Sequence, residues 1–153
     1  MEVLVTGAKG FIGQNLVAWL GRVPDCEICA IDRSHTSREL ETAVARVDFV
    51  FHLAAQSYPQ TSFSAPLDTL ETNIQGTAHV LEVLRHSDLD PVVHVCASSE
   101  VFGRVPKEFV PIGEETTFHP ASPYAISKVD TYRPHATTTR RSTITCCDSS
   151  TSQ

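Results

Sequence analysis

The apolar positions of the chain fall into short continuous runs separated by stretches of helical spacing. Glu2 to Val5 is an apolar run broken by Thr6 and Gly7, the pattern of a buried parallel strand. Phe11 to Leu20 then takes helical periodicity, with Ile12, Leu16 and Leu20 on one side and Val17 beside them. Gly21 and Pro24 close that helix. Glu27 to Ile31 reads as a second strand ending on Asp32. Thr36 and Glu39 have capping-box spacing and open a short helix through Leu40, Val44 and Val47. Asp48 to Ala54 is a further apolar strand, Asn73 to Arg85 is helical with Val80, Leu81 and Leu84 on one side, and Val92 to Ala97 is a strand followed by a loop rich in Pro and Gly. A last helix begins near Pro123. Continuous apolar strands alternating with helices predict a parallel sheet covered on both faces, which binds ligands at the carboxyl ends of its strands.

Composition narrows the function classes. The 153 residues suffice for one domain with one core, and fall short of a second, substrate-holding region. The net charge of -6 and the lack of a basic run argue against nucleic acid or a membrane surface as partner. No apolar stretch approaches the roughly 20 residues of a membrane span, and no basic leader precedes the first strand, so a cytoplasmic location is expected. Cys26 and Cys29 have C-x-x-C spacing, but in a strand side chains three apart point to opposite faces, so they read as ordinary strand residues.

The candidate chemistry clusters at strand ends. Gly7, Gly10 and Gly13 follow the first strand and open the first helix. They suit a tight turn, close approach of a pyrophosphate and close helix–sheet packing, with the helix N-terminus facing the phosphate charge. Asp32 lies at the end of the second strand, where a carboxylate can accept hydrogen bonds from a ribose diol. That favours NAD over NADP, although Arg33 beside it can meet a 2′-phosphate or stack on adenine. Tyr124 and Lys128 sit four apart on one helix face, where the ammonium stabilises a phenolate and equips Tyr124 to move a hydroxyl proton. Ser98-Ser99-Glu100 follows the strand Val92 to Ala97, with Ser98 placed either to bind the same substrate oxygen or simply to cap the next turn.

The segments TGAKGFIG, Asp32, DFVFHLAAQS, TNIQGT, SSEVFG and SPYAISK occur in one order from Val3 to Lys128. Together they resemble the extended short-chain dehydrogenase/reductase family of NAD-dependent epimerases and dehydratases, most of all the GDP-mannose 4,6-dehydratases. The resemblance implies a Rossmann-like, doubly wound parallel α/β sheet, incomplete at its C-terminal side. It implies cofactor contacts from Gly7, Gly10, Phe11, Ile12, Gly13, Asp32, Arg33, Leu53, Ala54, Ala55, Asn73, Tyr124 and Lys128. It places Ser98 at the catalytic Ser/Thr position, Tyr124 at the base, Lys128 at its partner, and Glu100 at the acid–base carboxylate. The implied substrate is a nucleotide-sugar, GDP-mannose first. The implied reaction is oxidation at C4, loss of water across C5 and C6 with Glu100 removing the C5 proton, and reduction at C6 by the same NAD or NADP. Homodimers through the Tyr–Lys helix are implied for a complete chain.

Three features depart from that pattern. A single short helix separates Asp32 from Asp48 where relatives place another helix and strand, so the adenine side of the pocket is expected to be open. Phe102 stands in place of a Tyr. After Lys128 the apolar periodicity fades, Thr and Ser dominate, and Pro134 is expected to end the helix. We therefore expect residues 1–128 to form the dinucleotide domain. Residues 129–153 are expected to be an atypical tail, disordered or produced by a frameshift near Val129, with the substrate region absent. Three readings follow: a working dehydratase, a catalytically silent dinucleotide-binding fragment, or an epimerase or reductase of the same family.

Overall fold

The computed structural model describes residues 1–32, 35, 37–87, 89–113, 115–138 and 142–146. Five strands, β1 (Glu2–Thr6), β2 (Glu27–Ile31), β3 (Phe49–His52), β4 (Val92–Ala97) and β5 (Ser142–Cys146), form one parallel sheet in the order β2-β1-β3-β4-β5. This is the doubly wound order 3-2-1-4-5-6 without its third strand, so β2 stands at an outer edge among the described residues. The missing unit is the one absent from the sequence between Asp32 and Asp48.

The continuous apolar runs arise because both faces of the sheet are covered. On one face Leu4, Val50, Val93 and Val95 are buried against Leu40 and Val44 of α2 (Ser37–Val44) and Val80 and Leu84 of α5 (Gly76–His86). On the other, Val3 and Val5 meet Leu16, Val17 and Leu20 of α1 (Phe11–Leu20), with Phe49 and Phe51 alongside. Each fully buried Val or Leu contributes about 1.5–3 kcal/mol of transfer free energy. Cys29 lies in the first of these clusters and Cys26 in the second, so the two thiols do face apart, and burial raises the pKa of Cys29.

Several boundaries differ from those read in the sequence. β3 is shorter than Asp48 to Ala54. Asp48 instead ties strand starts together, its carboxylate accepting the Glu2 N–H at 2.8 Å and its carbonyl the Val92 N–H at 2.9 Å. The helix expected from Asn73 is the second half of a longer helical run. It begins with α3 (Pro59–Ser64) and α4 (Pro66–Leu70), passes through a π-helical turn at Glu71–Gln75, and continues as α5. α2 stops at Val44, while Val47 is still buried in the core; Thr36, its expected cap, lies outside the described residues. The loop after β4 contains two 3-10 turns, Ser99–Phe102 and Lys107–Phe109. In the first, Phe102 stacks edge-on against Phe118 with ring centroids 5.4 Å apart, so packing is kept without the Tyr hydroxyl.

The last helix, α6 (Pro123–Thr138), starts where the sequence placed it but runs past Pro134, correcting the expected break. A proline inside a helix loses one hydrogen bond and crowds the preceding turn. Here the first two turns are held by burial of Tyr124, Ala125, Lys128 and Val129, which fixes the helix direction before Pro134 is reached. Beyond it, β5 pairs with β4 from Val93↔Ser142 to Ala97↔Cys146. Its Thr-Ile-Thr centre is rich in β-branched residues, a strand signal hidden by the polar composition of the tail.

Candidate dinucleotide and catalytic site

The strand order reverses between β1 and β3, and a cleft of about 770 Å³ opens at the carboxyl ends there. Gly7 forms its floor. Its φ of +72° suits glycine, and a Cβ at this position would lie 2.7 Å from the Ala54 nitrogen and 2.9 Å from the Leu53 carbonyl carbon. A Cβ on Gly13 would lie 2.8 Å from the Ala8 Cα and collide with the Gly7 carbonyl, so α1 crosses the turn at glycine-only distance. Gly10 is the N-cap residue of α1 and its carbonyl accepts the Gln14 N–H at 2.9 Å. The preceding amides, on Phe11, Ile12 and Gly13, form the first turn, whose N–H groups have no intrahelical acceptor. All three residues line the cleft, with Phe11 87% exposed at its mouth. Leu53, Ala54 and Ala55 form the opposite wall.

Asp32 also lines the cleft, with its carboxylate already engaged. Lys9 Nζ lies 2.6 Å from Oδ2, and the Asp32 N–H donates to His35 Nδ1 at 3.1 Å. Lys9 was not singled out in the sequence. Only three-dimensional closure of the glycine turn onto the end of β2 brings its ammonium to Asp32. Arg33 lies outside the described residues.

Tyr124 and Lys128 are buried on the first turns of α6, and both reach the cleft. Lys128 Nζ donates to the Cys96 carbonyl at 2.9 Å and lies 5.8 Å from the centroid of the Tyr124 ring. The end of β4 thus anchors the ammonium beside the phenol. The other expected members are placed differently. Ser98 is buried outside the cleft lining, and its Oγ accepts the Glu100 N–H at 3.3 Å, capping the following 3-10 turn. Glu100 is exposed and does not line the cleft. Asn73 is buried behind the wall. Its Oδ1 accepts the Gln56 N–H at 2.7 Å, and its Nδ2 donates to the Gln56 carbonyl at 3.1 Å and to Ser127 Oγ at 2.8 Å. Ser127 in turn donates to the Tyr124 carbonyl at 2.7 Å. Asn73 therefore reaches the site by holding the wall and α6, and Ser127 is a site-supporting residue that the sequence reading missed. The available signal was a polar side chain at an apolar helix position, which is informative when buried.

The model of the NAD dependent epimerase/dehydratase family matches residues 3–144. The chain belongs to that family. Its family relatives include the GDP-6-deoxy-D-mannose reductase of Pseudomonas aeruginosa, 31% identical across 84% of this chain and 44% of the relative. A GDP-mannose 4,6-dehydratase of Sordaria araneosa is 46% identical over a shorter stretch, 56% of this chain and 16% of the relative. Among solved structures, RMD from Pseudomonas aeruginosa in complex with NADPH superposes with a TM-score of 0.82 at 28% identity, over 96% of this chain and 52% of that one. A UDP-glucose 4-epimerase of Thermus thermophilus in complex with NAD superposes with a TM-score of 0.77 at 26% identity, over 89% of this chain and 50% of that one. The chain spans less than half the length of the two curated relatives named above.

Proposed function

We propose that this chain is the dinucleotide-binding half of an NAD(P)-dependent enzyme of nucleotide-sugar metabolism, with GDP-mannose as substrate and 4,6-dehydration as its reaction. The observation that carries the reading is the shared cleft: the glycine turn and the Tyr124–Lys128 pair face the same space at the switch point of the sheet. The fit to a dinucleotide rests on Gly7, where any Cβ would fill the approach, and on the first-turn amides of α1. When bound, the nicotinamide supplies two-electron transfer to and from the sugar. The chain's own residues then position and move protons. Tyr124 takes the proton of the C4 hydroxyl, and Lys128, anchored on the Cys96 carbonyl, stabilises the resulting phenolate. For dehydration, Glu100 turns inward from its exposed position to take the C5 proton.

That outward position favours one alternative. A GDP-sugar reductase needs Tyr124 and Lys128 but no C5 base, and the long match to a reductase supports it. The cofactor preference rests on Asp32 and Lys9. Asp32 alone suits NAD, whereas its pairing with Lys9 suits NADPH equally well.

The test is to incubate the purified chain with GDP-mannose and either NAD or NADP, and to follow products by mass spectrometry. A product lighter by one water, lost in Tyr124→Phe and reduced in Glu100→Gln, supports the dehydratase. Consumption of NADPH with a 4-keto GDP-sugar supports the reductase. Dinucleotide binding without turnover identifies the silent fragment, and absence of binding overturns the proposal.

A further inference from the structure

From the cleft lining, where Thr6 and His52 sit, a chain of buried polar groups runs inward to Thr77 and Asn73, and the reaction itself does not use it. Thr6 ends β1, His52 ends β3, and Thr77 and Asn73 flank the junction of the π turn and α5. All four are at most 5% exposed. Thr6 Oγ1 lies 2.7 Å from His52 Nδ1, His52 Nε2 lies 3.0 Å from Thr77 Oγ1, and Thr77 Oγ1 donates to the Asn73 carbonyl at 2.8 Å. At the other end, the Ala54 N–H donates to Thr6 Oγ1 at 3.3 Å.

The donors in this chain can be counted. A threonine hydroxyl has one proton, and that of Thr77 is committed to a carbonyl, which can only accept. Toward His52 the Thr77 oxygen is therefore an acceptor, and Nε2 must carry the ring proton. In the neutral ring Nδ1 is then a lone pair that accepts from Thr6, and the Thr6 oxygen in turn accepts from Ala54. The opposite tautomer would either set two lone pairs against each other 3.0 Å apart at Nε2 or pull the Thr77 hydroxyl proton away from the Asn73 carbonyl. It would also take from the Thr6 hydroxyl its acceptor on His52. Both are costly in a buried site. The chain thus has one polarity, from the Ala54 amide to the Asn73 carbonyl. Ala54 is the residue that meets Gly7 in the floor of the cleft, and Asn73 is the residue that holds Ser127 and, through it, the Tyr124 turn.

We infer that His52 is a positioning residue, held as the neutral Nε2–H tautomer, that sets the glycine turn and the Tyr124 helix in register with each other. Its ring is the rigid spacer between β1 and the helical run. Because Nδ1 accepts and Nε2 donates, neither hydroxyl neighbour can reverse without breaking the bond at the far end. The inference rests on the dinucleotide reading of the cleft only for its functional consequence, since the tautomer and the coupling are properties of the chain alone.

The test uses nitrogen-15 spectra of the histidine rings, carbon-13 labelled tyrosine, and titration with NADH and NADPH. In the unaltered chain we expect His52 to show a protonated Nε2 and an unprotonated Nδ1; an Nδ1–H or doubly protonated ring overturns the inference. Thr77→Val removes the acceptor and keeps the shape. It is expected to alter the His52 ring signals, shift the Tyr124 ring signal, and weaken dinucleotide binding about tenfold. Thr77→Ser restores the hydroxyl and is expected to return all three to within about twofold of the original. A Tyr124 signal that ignores Thr77→Val overturns the coupling, as does a loss that Thr77→Ser fails to rescue. If the unaltered chain binds neither dinucleotide, the reading of the cleft fails, while the ring spectra and the tyrosine shift still decide the role of His52.

Discussion

Substituting Gly7 by alanine gives a quantitative test of the cleft floor. Two independent costs act at this position. The backbone φ of +72° lies in the left-handed region, where a Cβ costs about 1–2 kcal/mol. The new methyl would also meet backbone atoms of β3's exit, with Ala54 N at 2.7 Å and Ala54 Cα at 2.8 Å. Backbone cannot rotate away as a flexible side chain can, so the overpacking cost is about 1–3 kcal/mol. The sum, about 2–5 kcal/mol, corresponds to a fall in Tm of roughly 4–20 °C for a chain of this size. Gly76→Ala is the matched control. Gly76 is helical, nothing lies within 4 Å of its would-be Cβ, and the exchange should stabilise the fold by about 0.5–1 kcal/mol. Thermal and urea unfolding followed by circular dichroism read both variants. A Gly7→Ala chain that loses less than about 1 kcal/mol would show that the turn does not approach β3 as described, and would refute the steric basis of the dinucleotide site.

Further outcomes follow from other residues. Burial lowers the pKa of His94. The unfolded chain, titrating near 6.5, therefore binds more protons as pH falls below that value, and stability should drop with it. His94→Phe keeps the ring contact with Phe51, centroids now 5.6 Å apart, and should flatten this part of the stability-versus-pH curve; an unchanged slope assigns it to other groups. Lys9 is 76% exposed, so Lys9→Ala should change stability by less than about 1 kcal/mol. It should weaken NADPH about tenfold more than NADH if the ammonium meets the 2′-phosphate, and equal losses in two parallel titrations would remove Lys9 from that role. Phe63, Leu67 and Ile126 are exposed apolar side chains on the adjoining elements α3, α4 and α6. Self-association through this face should be lost in Leu67→Asp by sedimentation velocity, and a wild-type monomer at high concentration would rule the face out.

The sheet was legible because its strands are buried on both faces. Val3-Leu4-Val5 needs no alternation, and such a run, followed by Gly7, Gly10 and Gly13, specifies β1, the turn and α1 together. Tyr124 and Lys128 were legible because helical spacing alone puts them on one face. What the sequence could not convey is which polar group meets which across the sheet. Lys9 and Asp32 are 23 positions apart and become an ion pair only because β1 and β2 are neighbours. Ser98 reads first as a substrate contact, with a cap as the alternative, and only the 3.3 Å bond from the Glu100 N–H assigns its present partner. The segments Pro59–Leu70 and Ser142–Cys146 were missed for a different reason: short helices and a polar strand have too few apolar residues to show a period, and their neighbours in space define them.

The π turn at Glu71–Gln75 also bears on how this chain aligns with any other. Such a turn amounts to an α-helix carrying one surplus residue. Deleting a single residue within it would regularise the hydrogen bonding and make the local helix a better helix. Each residue of an α-helix advances the azimuth by about 100°. The same deletion would therefore rotate everything on one side of it by that angle, separating Asn73 from Gln56 and Ser127 or turning Val80, Leu81 and Leu84 out of the core. A one-residue gap placed here in an alignment marks a re-aimed helix face, and lineages with and without the surplus residue should differ at Gln56, Asn73 and Ser127 as a set.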